Sequence, residues 1–493
     1  MTLRRGALVI AALLALTACG SGGGRPLNMA DAFSRDTTTT TAAAVPATTD
    51  TSVGAADTAG SGVAVAGRSA VATSTSHATS VTRAGKTVLA RGVKSDRIIL
   101  GWEGLSDSAA GAVAAVGVTA REVSEADQKA QVDAMVKDIN ARGGIGGKKV
   151  VMLYHFVDVT QGTADTRAQQ TCEFFTNDNE IFALVLRANH NGTLSACMAQ
   201  HKTPVIDVSS TVLPVDQKDL DERYPYLYLP LHVNLSRLGA YIDALAQQHF
   251  LDGGARVGLL RYDMPAHKRA RDQVIVPALA RHGSKLTDEF AFTPVREVAD
   301  LGQEGTQAAN AALRFKAEGI NRVIFLPSAW TILTVFPKEA NSAGYKPRYG
   351  VDSWESPEYL RNNAPAAQLQ GAVGLGWLPH DDVPPNVALA EERTLPDWSH
   401  CAAALKAAGY PEDFATYCTP FLFLKEAMAR GTGLTAAGLR AGADKLGAAP
   451  YSTANFGTFF GPGRSDGASL GRNIAFDGGC ACFTYVSAPY PIP

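Results

Sequence analysis

From Asp96 onward, short β-rich apolar runs alternate with stretches whose apolar residues recur at helical spacing. Arg97-Ile98-Ile99-Leu100-Gly101-Trp102 reads as a buried strand, and Val132, Met135, Val136 and Ile139 then line one face of a helix. Arg142-Gly143-Gly144 ends that helix, because glycine accepts the left-handed conformation of a helix C-cap. Strands follow at Lys149–His155, Ile181–Leu186 and Pro204–Val208, separated by helices at Ala164–Phe175 and Thr193–His201. After Pro230 the pattern restarts. Strands at Arg256–Arg261, Lys285–Phe292, Arg322–Leu326 and Arg348–Val351 alternate with helices at His267–Arg281, Gln307–Lys316 and Thr331–Ala343. Such alternation predicts parallel sheets covered on both faces, and its restart predicts two α/β lobes. Ligands of open α/β sheets sit beyond the carboxyl ends of the strands, so two such lobes imply a cleft there. Beyond Ser356 the pattern loosens: Phe421–Arg430 reads as a helix, Ser452–Phe460 and Arg472–Tyr485 as short strands with glycine turns.

The N-terminal fifth is different material. Arg4 and Arg5 precede an apolar run, Ala7–Ala18, too short to span a bilayer but of signal-peptide length. It ends in Leu16-Thr17-Ala18-Cys19-Gly20, which looks like a bacterial lipobox whose Cys19 sulfur takes the lipid; an ordinary cleaved signal containing a cysteine is the alternative. The expected leader is therefore residues 1–19. Residues 20–95 read as a Thr/Ala/Gly/Ser-rich disordered stalk, since Gly20–Val88 holds almost no large apolar residue to bury. Chain of that length and composition spans roughly 45–50 Å.

The formal net charge of −2 with mixed signs gives no basic face for nucleic acid. Setting Cys19 aside, six of the seven cysteines remain: Cys172, Cys197, Cys401, Cys418, Cys480 and Cys482. Outside the cytoplasm an even number reads as disulfides. Fifteen connectivities are open, with nearest-neighbour pairing the simplest. Catalytic signatures are absent from the sequence: no nucleophile elbow, phosphate-cradling loop or zinc-protease motif occurs. Cys480-Ala481-Cys482 has no histidine at zinc-ligand spacing, while His400-Cys401 and His380-Asp381-Asp382 read as surface loops before metal sites. No cofactor or metal is expected, and no enzymatic activity.

The stretch Asp138-Ile139-Asn140-Ala141-Arg142-Gly143-Gly144-Ile145-Gly146-Gly147-Lys148 resembles the helix-to-strand turn of type I periplasmic binding proteins of the leucine/isoleucine/valine-binding family. Ala340–Tyr349 is similar to that family's second-lobe helix end, and Gly461, Gly471 and Phe476-Asp477 to its closing hairpin. The resemblance implies two Rossmann-like lobes joined by three crossings, near Leu229–His232, Ser356–Gln370 and Gly447–Ser452. Lobe 1 would comprise residues 96–230 plus 370–447, and lobe 2 residues 231–356 plus 448–493. It also implies a Cys172–Cys197 bridge in the first lobe.

In that family the first lobe grips a ligand carboxylate with strand-end loops, here Arg187–Thr193, with Asn191 and Thr193, and Ser209-Ser210-Thr211. Hydroxyls and N–H groups at helix starts suit an anion, but the same residues serve equally as turns and helix caps. The second lobe supplies an aromatic and an acid; Asp352 takes the acid's place, with Trp354 beside it, and His267 stands where a tyrosine is usual. Trp102, Trp330 and Trp354 lie at or past strand ends, either as cleft walls suiting a larger or more apolar solute or as core packing.

The expected function is therefore a monomeric, lipid-anchored receptor on the outer face of the bacterial cytoplasmic membrane. It would close on an amino-acid-like or amide/aromatic organic solute and deliver it to a membrane permease driven by a separate ATPase. The alternative is an extracytoplasmic sensing module reporting the same ligand to a membrane partner.

Overall fold

The structure, a computed structural model, describes residues 90–108, 124–187, 192–209, 214–296, 300–327 and 331–493. The leader, Cys19 and the stalk as far as residue 89 lie outside the described residues. Five strands form the first sheet: β1 (Arg97–Leu105), β2 (Lys149–Val157), β3 (Ala183–Leu186), β4 (Val205–Asp207) and β5 (Leu227–Tyr228). All are parallel, in the order β2-β1-β3-β4-β5. The next five are β6 (Val257–Tyr262), β7 (Leu286–Phe292), β8 (Arg322–Phe325), β9 (Arg348–Asp352) and β10 (Val373–Gly376). They repeat the arrangement as β7-β6-β8-β9-β10, again parallel. A two-stranded ribbon of β11 (Gly447–Ala448) and β12 (Phe459–Phe460) follows. Then β13 (Leu470–Asp477) and β14 (Cys482–Tyr485) extend the second sheet antiparallel beyond β10, and β15 (Tyr490–Pro491) pairs with β13.

Burial explains the strand sequences. Every residue of β3 and of β6 is buried, as expected of strands covered on both faces. Along β6 the side chains alternate between two apolar clusters: Val257 and Leu259 enter one, Leu260 and Tyr262 the other. Fully burying each such Leu or Val is worth about 1.5–3 kcal/mol. The first cluster runs on through Leu229–Leu238 into the first sheet and the helices Trp398–Ala407, Thr419–Arg430 and Ala436–Ala443. The first two of these dock on the helix Glu125–Ala141, where His400 Nε2 lies 2.8 Å from Asp138 and Lys425 Nζ donates to Arg142 O at 3.4 Å.

Three expectations change. The stalk does not reach residue 95: Val93 is buried, Gly92 O accepts the Ile99 N–H at 2.8 Å, and Arg91 donates to Thr176 O. The second crossing is not near Ser356–Gln370, because β10 still pairs with β9; the chain leaves the second sheet only after Gly376, so residues 370–376 belong to lobe 2. The β9–β10 approach is tight enough that a Cβ on Gly374 would lie 1.8 Å from Val351 O, and the glycines that permit it erase the apolar run that marks a strand. Finally, most of the expected strand Ser452–Phe460 is a turn in which Ser452 Oγ and Thr458 Oγ1 both donate to Asn455 Oδ1 at 2.8 Å; only Phe459–Phe460 is strand.

The linkers are sewn together. Leu229 N donates to Ser465 O and Gly467 N to Leu229 O, both at 2.8 Å, while Asn455 Nδ2 donates to Pro230 O at 3.0 Å. A Cβ on Gly467 would sit 2.3 Å from Pro230 O, so only glycine allows this approach. Asp466, fully buried, accepts from Asn234 N at 2.9 Å and pairs with Arg237. The disulfides are Cys172–Cys197, Cys401–Cys418 and Cys480–Cys482, the nearest-neighbour set.

Candidate functional site

In each half the strand order reverses beside its first strand, between β1 and β3 and between β6 and β8, and open α/β sheets bind ligands at such points. In the first half this position brings buried Glu103 together with Arg187, whose N–H donates to Glu103 O at 3.0 Å. The Arg187 guanidinium lies over the Tyr417 ring at 5.8 Å. In the second half it brings together Tyr262, at the last position of β6, Thr331, at the start of the helix Thr331–Ser342, and Glu304, on the helix Asp300–Ala317. Both hydroxyls donate to Glu304 Oε1 at 2.8 Å. Glu304 is 1 % exposed, and burial pushes its carboxyl up to about 7 although the two hydroxyls pull it down.

The ends of β4 and β9 meet through His232 in the first linker. Its Nε2 lies 2.9 Å from Ser209 O, and its ring stacks on Trp354 with centroids 4.6 Å apart. Burial holds the imidazole below its ordinary value, against weaker pulls from Asp207, Ser209 and Asp381, so at neutral pH it is uncharged. Because a carbonyl only accepts, Nε2 carries the proton. Trp354 Nε1 donates to Val233 O at 2.8 Å, which fixes the indole.

The sequence-predicted residues fall as follows. Asp352 ends β9, 2 % exposed; one oxygen caps the following turn by accepting Trp354 N at 2.9 Å, and Oδ2 has no hydrogen bond among the described residues. Burial first, then the neighbouring Glu355, raises its carboxyl well above the usual range. Trp354 sits beside it, in the stack on His232. Ser209 is fully buried with its hydroxyl donated to Asp207 at 2.7 Å, so that O–H serves the turn after β4. Thr193 Oγ1 donates to Asp165 at 2.7 Å and fastens its helix to Ala164–Glu173 beside the Cys172–Cys197 bridge. Trp102 is fully buried and edge-on to Tyr417 at 5.2 Å, the core-packing one of its two expected roles. His267 is likewise fully buried, with Nε2 2.8 Å from Pro327 O; desolvation lowers it to about 4, so it supports the strand end after β8 as a neutral ring. Asn191, Ser210, Thr211 and Trp330 lie outside the described residues.

Sequence reasoning missed Glu304, Tyr262 and His232. Only one signal was available, a tyrosine closing the strand that begins the second alternation. Chemically the arrangement binds. Neither Glu304 nor Asp352 makes an ion pair among the described residues, so both suit a cationic or hydrogen-donating guest group. The one cluster of metal-ligand types found among the described residues, Cys172, Cys197 and His201, has both sulfurs tied in a disulfide and offers no thiolate.

Two α/β halves of identical strand order, joined by hydrogen-bonded linkers and carrying buried polar groups at their switch points, define a two-lobed solute-binding protein. The chain belongs to the periplasmic binding protein family, whose sequence model matches residues 111–468. That is a family of extracytoplasmic solute-binding proteins and not of enzymes. Its fold is that of the type I members, including the leucine/isoleucine/valine-binding proteins. An ABC transporter substrate-binding protein from Desulfitobacterium hafniense in complex with Leu superimposes with TM-score 0.52 at 15% identity, covering 79% of this chain and 100% of that one. A branched chain amino acid ABC transporter protein from Thermus thermophilus with bound valine gives 0.54 at 16%, covering 82% and 97%. A solute binding protein of an ABC transporter from Rhodopseudomonas palustris BisB5 in complex with 3,4-dihydroxy benzoic acid gives 0.54 at 15%, covering 80% and 98%. No curated protein matches the chain.

Proposed function

We propose that this protein is the lipid-anchored receptor of an ABC-type importer, closing its lobes over a small amino-acid-like or aromatic organic solute and presenting it to a membrane permease served by a separate ATPase. The observation that carries the reading is a pair of buried carboxyls in the second lobe, Asp352 at the end of β9 and Glu304 against Tyr262 at the end of β6, which lack a cationic partner among the described residues. A buried acid without a countercharge is destabilising, and a guest ammonium or donor group relieves it. Arg187 and the loops after β3 and β4 would receive the guest's acidic end. Trp354, stacked on His232 and bonded to the linker, would report closure, since it joins the ends of β4 and β9. The solved neighbours with leucine, valine and a dihydroxybenzoate support the choice of ligand classes.

Anchoring through Cys19, with residues 20–89 as tether, belongs to the same proposal. Changing Cys19→Ser is expected to move the protein from the membrane fraction to the soluble one. The ligand reading is tested by native mass spectrometry of the purified protein for a co-purified solute, followed by thermal shift against amino acids and aromatic acids. A true ligand at a hundred times its Kd stabilises by about 2.7 kcal/mol. If no member of either class shifts the transition, the proposed ligand class is wrong.

A further inference from the structure

The three disulfides sit in different surroundings. Cys401 and Cys418 are both fully buried, and Cys172 is fully buried with a half-buried partner, Cys197. Cys480 is exposed on the turn between β13 and β14, whereas its partner Cys482 is buried at the first position of β14. A single residue separates them. That residue, Ala481, is held at φ 50°, in the left-handed region that costs an L-alanine about 1–2 kcal/mol. A bridge closing so short a segment also recovers the least loop-closure entropy of the three. Exposure and backbone strain together are the attributes of disulfides with oxidising potentials that exchange readily.

The place of this turn in the fold separates it from the ligand site. β13 runs antiparallel to β10 with Gly376 opposite Arg472 and Val373 opposite Ala475. The start of β13 therefore lies at the carboxyl ends of the parallel strands, and its end, Asp477, at the other edge of the sheet. The Cys480–Cys482 turn thus lies across the second sheet from Glu304, Asp352 and Trp354. There it adjoins Gln370, whose side chain lies 3.1 Å from where a Cβ on Gly478 would be.

We infer that Cys480–Cys482 is a surface thiol–disulfide exchange site that takes two electrons from a dithiol reductant while the other two bridges stay closed. A thiolate of the dithiol attacks the exposed Cys480 Sγ. The Cys480–Cys482 bond breaks, and the Cys482 sulfur leaves as a thiolate that takes a proton from water. The second thiolate of the reductant then attacks its own sulfur in the mixed disulfide and expels the Cys480 thiolate, which is protonated in turn. The reductant ends as a disulfide and the protein pair as two thiols. The buried sulfur of Cys482 makes Cys480 the site of mixed-disulfide formation.

The test uses the full folded chain and graded dithiothreitol, with alkylation and peptide mass spectrometry reading each cysteine. Cys480 and Cys482 should be labelled at reductant levels at least about tenfold below those that open the other two bridges, a gap equivalent to about 30 mV. The melting temperature should stay unchanged at that point. A second arm exposes Cys482→Ser and Cys480→Ser to oxidised glutathione: the first, with the outer thiol retained, should acquire glutathione rapidly, and the second should not. Opening of all three bridges together, opening of this one only on unfolding, or equal glutathione uptake by the two variants would each overturn the inference.

Discussion

Glu304→Gln isolates the energetic cost of the buried acid at the β6/β8 switch point. In the native protein the carboxyl titrates at about 7 against an ordinary 4.5, burial being the main cause. The folded state therefore holds a proton that the unfolded chain has released between those two values, and stability falls as pH rises across that window, levelling off above about 7. Each tenfold change in proton affinity is about 1.4 kcal/mol, so the ionised native state is penalised by about 3 kcal/mol. Glutamine keeps an oxygen that accepts from Tyr262 and Thr331 but cannot ionise. The variant should match the parent near pH 4.5 and exceed it by up to about 3 kcal/mol at pH 8. Urea unfolding of both proteins at pH 5, 6, 7 and 8 measures the difference, and groups common to both, such as Asp382, which burial raises to about 8, cancel. A stability difference that is the same at every pH would show that Glu304 is not a buried, proton-holding acid. If the variant also binds ligand more weakly at pH 8 than the parent, the site has exchanged stability for a guest contact.

Trp354→Ala removes an indole that is 2 % exposed together with its stack on His232, and should cost about 3–5 kcal/mol in urea unfolding. Trp354→Phe keeps a ring but leaves Val233 O without its donor, and about 1 kcal/mol is expected. Asp466→Asn leaves the Arg237 guanidinium, itself mostly buried, without its countercharge; a loss of about 3 kcal/mol should appear in the same assay. Replacing Cys172 and Cys197 together by serine opens a loop of 25 residues and should lower stability by roughly 3–4 kcal/mol, read from urea unfolding.

Much of the candidate site was hidden in the sequence because its contacts join distant segments. Asp352 and Trp354 were legible as the end of a strand followed by a turn, and the structure places them there. Glu304, Tyr262 and Thr331 were not, since each is an ordinary residue of its own element and only the neighbouring positions of β6 and β8 bring them within 2.8 Å. His232 was passed over as part of a linker, yet it touches residues 23 positions before it and, through Trp354, a strand more than a hundred positions later. Trp102 stayed open between two roles because an aromatic at a strand end reads the same whether a ligand or Tyr417 covers it.

The amino-acid sequence by itself determined the periodic features: buried strands, helices with one apolar face, the restart after Pro230, and the glycine turn at Gly143–Gly147. At that turn a Cβ on Gly144 would lie 1.9 Å from Lys148 O. Local burial and backbone sterics repeat at fixed intervals along the chain, so they can be read from it. The tertiary structure alone decided that β10 stays with the second sheet, that the linkers are bonded to one another through Asp466 and Gly467, and that an acid, a tyrosine and a threonine converge at a switch point. Those outcomes depend on strand order, which brings together residues with no periodic relation in the chain.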